Sequence, residues 1–133
     1  RRPINTGDLH ATLDIMNLWK NGKEVEGWAH YWSDLHHYLA DRLTVNKALE
    51  KATLVMRYED LVADPAGKLR ALFDHTGLAD AQPIIDRVAP TIHAPSYYRP
   101  NFTDDEIDQI RDITMIAAKR FGYDVRPAET RQA

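Results

Sequence analysis

The stretch Ala52-Thr53-Leu54-Val55-Met56-Arg57-Tyr58-Glu59-Asp60-Leu61 decides how this chain is read. Its first half is short, apolar and unbroken, with the β-branched Thr53 and Val55 inside it. That pattern predicts a strand over 52–56, buried on both faces of a parallel sheet. The second half turns polar and ends at Leu61. Asp64-Pro65 follows, an N-capping residue ahead of a proline at the first helical position, where a missing N–H costs nothing. Leu69, Leu72 and Phe73 give the helix after it an apolar face, and Gly77 ends it.

Upstream, Leu9, Leu13, Met16 and Trp19 fall at approximately helical spacing, and Asn21-Gly22 stops that segment. Val25, Trp28, Ala29, Trp32, Leu35, His36, Leu39 and Leu43 then form one continuous apolar stripe, the clearest helix in the sequence. His30, Asp34, His37 and Asp41 mark its opposite face. Downstream, Ile84, Ile85 and Val88 predict a short helix before Pro90, and residues 91–102 read as a loop rich in Pro, Ser and Tyr. Thr103-Asp104-Asp105-Glu106 is a capping box with extra acid in the first turn. It opens a last helix carrying Ile107, Ile110, Thr114, Ala117 and Phe121, closed by Gly122. From Tyr123 on, the chain reads as a polar tail.

The inventory is therefore five helices around one strand. A lone parallel-type strand leaves backbone N–H and C=O groups unpaired on both edges. The expectation is half of an α/β fold: a mostly α-helical C-terminal part, residues 1–124, followed by a tail over 125–133. Its partner is either a missing N-terminal half or a second copy of itself.

The string from Arg57 to Leu61, with Asp64-Pro65, Leu69, Leu72 and Gly77-Leu78, resembles the corresponding segment of the PAPS-dependent sulfotransferases, most specifically over residues 52–78. Trp28-Ala29-His30-Tyr31-Trp32 looks like that family's aromatic helix ahead of the strand. Phe121-Gly122-Tyr123 looks like its closing Gly-Tyr. The resemblance implies a P-loop-type parallel sheet with helices. It also implies transfer of a sulfuryl group from 3′-phosphoadenosine 5′-phosphosulfate to an acceptor hydroxyl or amine, the acceptor being a small molecule or a glycan.

It further implies the residues. Tyr58 contacts the adenine end of the donor, where a phenol offers a flat face and one hydrogen-bonding group. Ser96 and Arg99, in the loop Ser96-Tyr97-Tyr98-Arg99-Pro100, supply a hydroxyl and a bidentate cation for the 3′-phosphate. This loop differs from the Arg-Lys-Gly form of cytosolic members. Arg1, in Arg1-Arg2-Pro3, stands where the family has another 3′-phosphate contact, although Leu9 occupies the position of its accompanying Ser. No Gly-rich or Lys-Ser/Thr loop follows a strand in these residues, so the phosphosulfate cradle and the general base are not among them. The 133 residues are expected to be inactive alone and to contribute no catalytic residue.

Composition narrows the alternatives. With 44% apolar and 28% charged residues, the chain suits one globular domain. A net charge of −3 gives no reason to expect nucleic acid or an anionic membrane as partner. There is no cysteine, which removes disulfides, thiolate metal sites and cysteine nucleophiles. No apolar run spans a bilayer, and a cytoplasmic setting is expected. His30, Asp34 and His37, at i, i+4 and i+7, have zinc-ligand chemistry. They face away from the apolar stripe, however, and are read as a solvated face without metal. A second reading of the chain is a non-enzymatic helical interaction or oligomerisation module, in which Trp19, Trp28 and Trp32 form a partner surface. Trp28 and Trp32 share register with the core stripe, which places them in the core instead.

Overall fold

The helix signals act where the sequence puts them. In the computed structural model, which describes residues 8–96 and 101–125, α1 (Leu9–Lys20) opens on Asp8, whose carboxylate accepts the Ala11 N–H at 3.0 Å. α2 spans Glu24–Val45, α3 Lys47–Ala52, α4 Tyr58–Ala63 and α5 Pro65–Thr76. α6 (Gln82–Val88) runs into a 3₁₀ turn over Ala89–Thr91, and α7 spans Asp104–Arg120. Asp64 caps α5 by accepting the Gly67 N–H at 3.0 Å, and Gly77 ends it in the left-handed region at φ 68°. The capping box of α7 is complete: Glu106 N–H donates to Thr103 Oγ1, and Thr103 N–H donates to Glu106 Oε2 at 2.8 Å.

The strand is not there. Among the described residues there is no strand and no sheet, so the α/β expectation is overturned by an all-helical chain. The cause is visible on both sides of the run. Thr53 still belongs to the turn before it: its N–H donates to Glu50 O at 3.2 Å and its hydroxyl to Leu49 O at 2.7 Å. Arg57 already belongs to the next turn, its carbonyl accepting the Leu61 N–H at 3.1 Å. Only Leu54, Val55 and Met56 remain between them, a connector without a paired neighbour. Leu54 is 37% and Val55 51% exposed, the reverse of a strand buried on both faces. An apolar, β-branched run sets a local preference, but pairing makes a strand, and pairing is not local.

Two compact units divide the chain, one made of residues up to Lys47 together with those from Asn101 on, the other of Ala48–Pro100. In the first, α2 packs against both α1 and α7. The buried positions of α2 are Gly27, Ala29, Ser33 and Ala40, and those of α7 are Ala117 and Ala118, so small side chains let the helix axes approach. On α1, Ile15 is the buried residue. Trp19 lies against Gly27 so closely that a Cβ there would stand 2.6 Å from its Cδ1 and Nε1. Trp28 and Tyr31 enclose the same indole, with ring centroids 4.6 and 6.0 Å away. The Trp19 Nε1–H is buried without a hydrogen-bond partner, which costs on the order of 1–3 kcal/mol. Arg120 joins the end of α7 to α2, pairing with Asp41 at 2.7 Å and reaching the His37 carbonyl at 3.4 Å.

In the second unit α5 packs on α4 and α6, and α6 folds back through the 3₁₀ turn. Ile85 is the one fully buried side chain among its described residues. Leu69 and Phe73 are half-buried, and Leu72 is exposed.

Candidate functional site

The motif residues occupy the junction between the 54–56 connector and α4. Arg57 keeps extended backbone at φ −79° and ψ 141°, then the chain turns into a helix at Tyr58. The Arg57 guanidinium grips Asp60 one turn on, Nε donating to Oδ2 at 2.9 Å and Nη2 to Oδ1 at 2.6 Å. Lys68 of α5 stands 3.8 Å from the same carboxylate. The hydrogen bond from Arg57 is the main reason that Asp60 is held below the ordinary carboxylate value, with Lys68 adding to it and desolvation opposing. Both oxygens of Asp60 are thus engaged in fixing the start of α4, and a fork-to-fork pair of this kind fixes direction as well as distance. Asp60 thus serves helix entry through its pair with Arg57.

Tyr58 stands beside this pair. It is the first residue of α4 and 52% exposed. Its hydroxyl donates to the carbonyl of His93 at 3.3 Å, across 35 positions of sequence. His93 lies in the irregular stretch after the 3₁₀ turn, three residues before Ser96, which is exposed at a bend. Of the residues assigned from the sequence, Tyr58 and the segment carrying Ser96 are therefore tied together. Arg99 and Arg1 lie outside the described residues. Sequence reading gave His93 no role, and nothing could have marked it, because its contribution is a backbone carbonyl and not its side chain.

The first unit holds a separate feature, an apolar groove of about 490 Å³. Val25, Trp28, Ala29 and Trp32 line it from α2, Ile110 and Thr114 from α7, Phe102 from the segment before α7, and Glu24 stands at one end. Its volume falls within the range of small-ligand sites. Trp28, assigned to the core by its register, is 45% exposed and forms a wall of this groove. Phe102 had drawn no attention in a loop of Pro, Ser and Tyr. Trp32 is fixed from its other side by His36, stacked at 3.8 Å, whose Nδ1–H donates to the Trp32 carbonyl at 2.7 Å.

The face of α2 that carries His30, Asp34 and His37 is half-buried, not solvated. Burial is the first cause of a raised Asp34 value. The N-capping Asp8 pushes in the same direction, while His30 and His37 pull it back. No group of three His, Asp or Glu able to hold a metal exists among the described residues. None of their helices is long and apolar enough to cross a membrane.

No family model matches the chain, and no solved structure matches it. Two curated proteins are similar to it, the omega-hydroxy-beta-dihydromenaquinone-9 sulfotransferases of Mycobacterium bovis and Mycobacterium tuberculosis. Each is 32% identical over 84 residues, covering 59% of this chain. The chain spans 22% of the length of these relatives. With its Arg57–Leu61 motif, the chain therefore carries a sulfotransferase-like region.

Proposed function

We propose that this chain is the C-terminal portion of a PAPS-dependent sulfotransferase, supplying contacts to the nucleotide end of the donor and a wall for the acceptor. The observation that carries the reading is the exposed Tyr58, held at the head of α4 beside the segment leading to Ser96, in a region similar to sulfotransferases. The donor brings the activated sulfuryl group. The ring of Tyr58 stacks on its purine, and the Ser96 hydroxyl and the Arg99 and Arg1 guanidinium groups take the 3′-phosphate. In this reading the phosphosulfate cradle and the general base lie on other residues, and the 133 residues alone transfer no sulfuryl group. A cytoplasmic setting belongs to the same proposal.

The acceptor is a hydroxylated, largely apolar molecule. The relatives are named for a hydroxylated menaquinone, and the groove between Trp28, Trp32, Phe102 and Ile110 supports the same class here. The exposure of Trp28 and Phe102 also favours a second reading, a helical module that covers this groove with a protein partner.

The test is titration of 3′,5′-adenosine bisphosphate into the sulfotransferase containing these residues. Tyr58→Ala weakens binding by about 1–3 kcal/mol, the scale for removing a base-stacking aromatic. Unchanged affinity would remove Tyr58 from the nucleotide site.

A further inference from the structure

The segment from His93 to Ser96 has little to hold it. Ile92 N–H still donates to Ala89 O at 3.2 Å, closing the 3₁₀ turn. Beyond it the backbone has no regular structure. Pro95 has no N–H to give, and a residue before proline is driven toward extended conformations, which places Ala94 outside any further helical turn. The His93 ring bonds locally, its Nδ1–H donating to Ala94 O at 3.1 Å. Among the described residues, the hydrogen bond that reaches this segment from a distant part of the chain comes from the hydroxyl of Tyr58, donating to the His93 carbonyl.

That contact has a consequence for Tyr58 itself. Tyr58 is a half-exposed phenol at the first position of a short helix, with two side-chain torsions to fix. Tying its para oxygen to the His93 carbonyl restricts the direction in which the ring points, while the side chain stays half exposed. The same bond that orients the ring therefore anchors the loop.

We propose that the Tyr58 hydroxyl is a positioning group, fastening the 92–96 segment to α4 so that the Tyr58 ring and the Ser96 hydroxyl form one preorganised arm for the purine and phosphate of a nucleotide. The proposal rests on the nucleotide reading of Tyr58 given above, and assigns to the hydroxyl a part separate from the ring. A ligand that meets an arm already ordered spends less binding energy on ordering it.

The experiment compares the sulfotransferase containing these residues with its Tyr58→Phe variant, which keeps the ring and removes the bond. Amide exchange at His93, Ala94 and Ser96 is followed with and without 3′,5′-adenosine bisphosphate. Without ligand, Tyr58→Phe accelerates exchange at these amides roughly two- to tenfold, the factor that one net hydrogen bond supports, and leaves α5 unchanged. With ligand, the bisphosphate protects Ser96 in the wild type and protects it less in the variant. Equal exchange in the two unliganded chains would overturn the proposal. Accelerated exchange with identical bisphosphate affinity would overturn its role in binding. Accelerated exchange in an enzyme whose wild type takes up no bisphosphate would sink the nucleotide reading of Tyr58 and leave the fastening itself supported.

Discussion

The two units solve the same problem, how short helices stay folded, by different means. The first brings α1, α2 and α7 together over small residues and tucks an indole onto a glycine. Its order comes from shape. The second buries Ile85 alone among its described residues and relies on polar ties close in sequence: Asp64 to the start of α5, Arg57 to Asp60, and Arg70 to Gln82 at 3.1 Å. Caps and ion pairs occur in both units, but here they stand beside a single buried side chain. Shape complementarity tolerates almost no added atom, whereas local polar ties can rearrange one at a time. The motif that points to function lies in the second, less packed unit, as expected for residues that must remain reachable.

The largest expected effect follows from that open packing. Leu54, Val55, Leu72 and Leu78 are exposed here, as Trp28, Val45 and Ile116 are in the first unit, and apolar surface of this kind associates. The 133-residue chain is therefore expected to self-associate, with a weight-average mass by sedimentation that rises with concentration. A clean monomer at high concentration, with protected amides over residues 53–57, would show that the second unit is complete without a partner and would break the contrast.

Two glycines sharpen it. Both lie in helices, where replacement by Ala raises intrinsic helix propensity by about 1 kcal/mol. At Gly27 the new methyl meets Trp19, whose indole is held by Trp28 and Tyr31 and cannot step aside. Overpacking of this kind costs roughly 1–3 kcal/mol, so Gly27→Ala destabilises despite the gain in propensity. At Gly67 the methyl meets the Asp64 carboxylate, which is free to rotate away. What is lost there is an N-cap, worth about 0.5–2 kcal/mol, and Gly67→Ala is expected to come out near neutral. Chemical denaturation of both variants decides the matter. Equal losses would mean that the two units are packed alike.

Much of the helical skeleton was legible because its signals are local. Asp64-Pro65, Thr103 with Glu106, and Gly77 each act on the turn beside them, and each acts as read. The run Ala52–Met56 was misread because its apolar pattern is shared by buried strands and exposed connectors, and only the presence of a neighbour separates them. Trp28 was placed inside by a register that says which face a residue occupies, not whether anything covers that face. At the site, the Arg57–Asp60 pairing was foreseeable from their spacing. The link from Tyr58 to His93 was not, since it joins residues 35 apart through a main-chain carbonyl.

The smallest effect tests the contrast through two aspartates whose values move in opposite directions from the same ordinary 3.8. Asp34, in the first unit, is raised, with burial as first cause, so the folded chain favours its protonated form. Its contribution to stability is fully present below 3.8 and is lost as pH rises through the raised value. Asp60, in the second unit, is lowered by Arg57, so the folded chain favours its charged form. Its contribution is present above 3.8 and is lost as pH falls through the lowered value. Acid therefore relieves the first unit and loosens the second. Asp34→Asn should raise the denaturation midpoint at neutral pH, with the advantage shrinking as the solution is acidified. Asp60→Asn should lower the midpoint at neutral pH, with the deficit closing as acid removes the charge from the wild type. Both changes are modest, because neither carboxylate is fully shielded from water and exposed pairs contribute little. Midpoints measured for both variants across about pH 3 to 7 give two difference curves of opposite sign. Curves of the same sign would mean that burial does not govern Asp34, and the picture of a packed unit beside a polar-tied one would lose its electrostatic half.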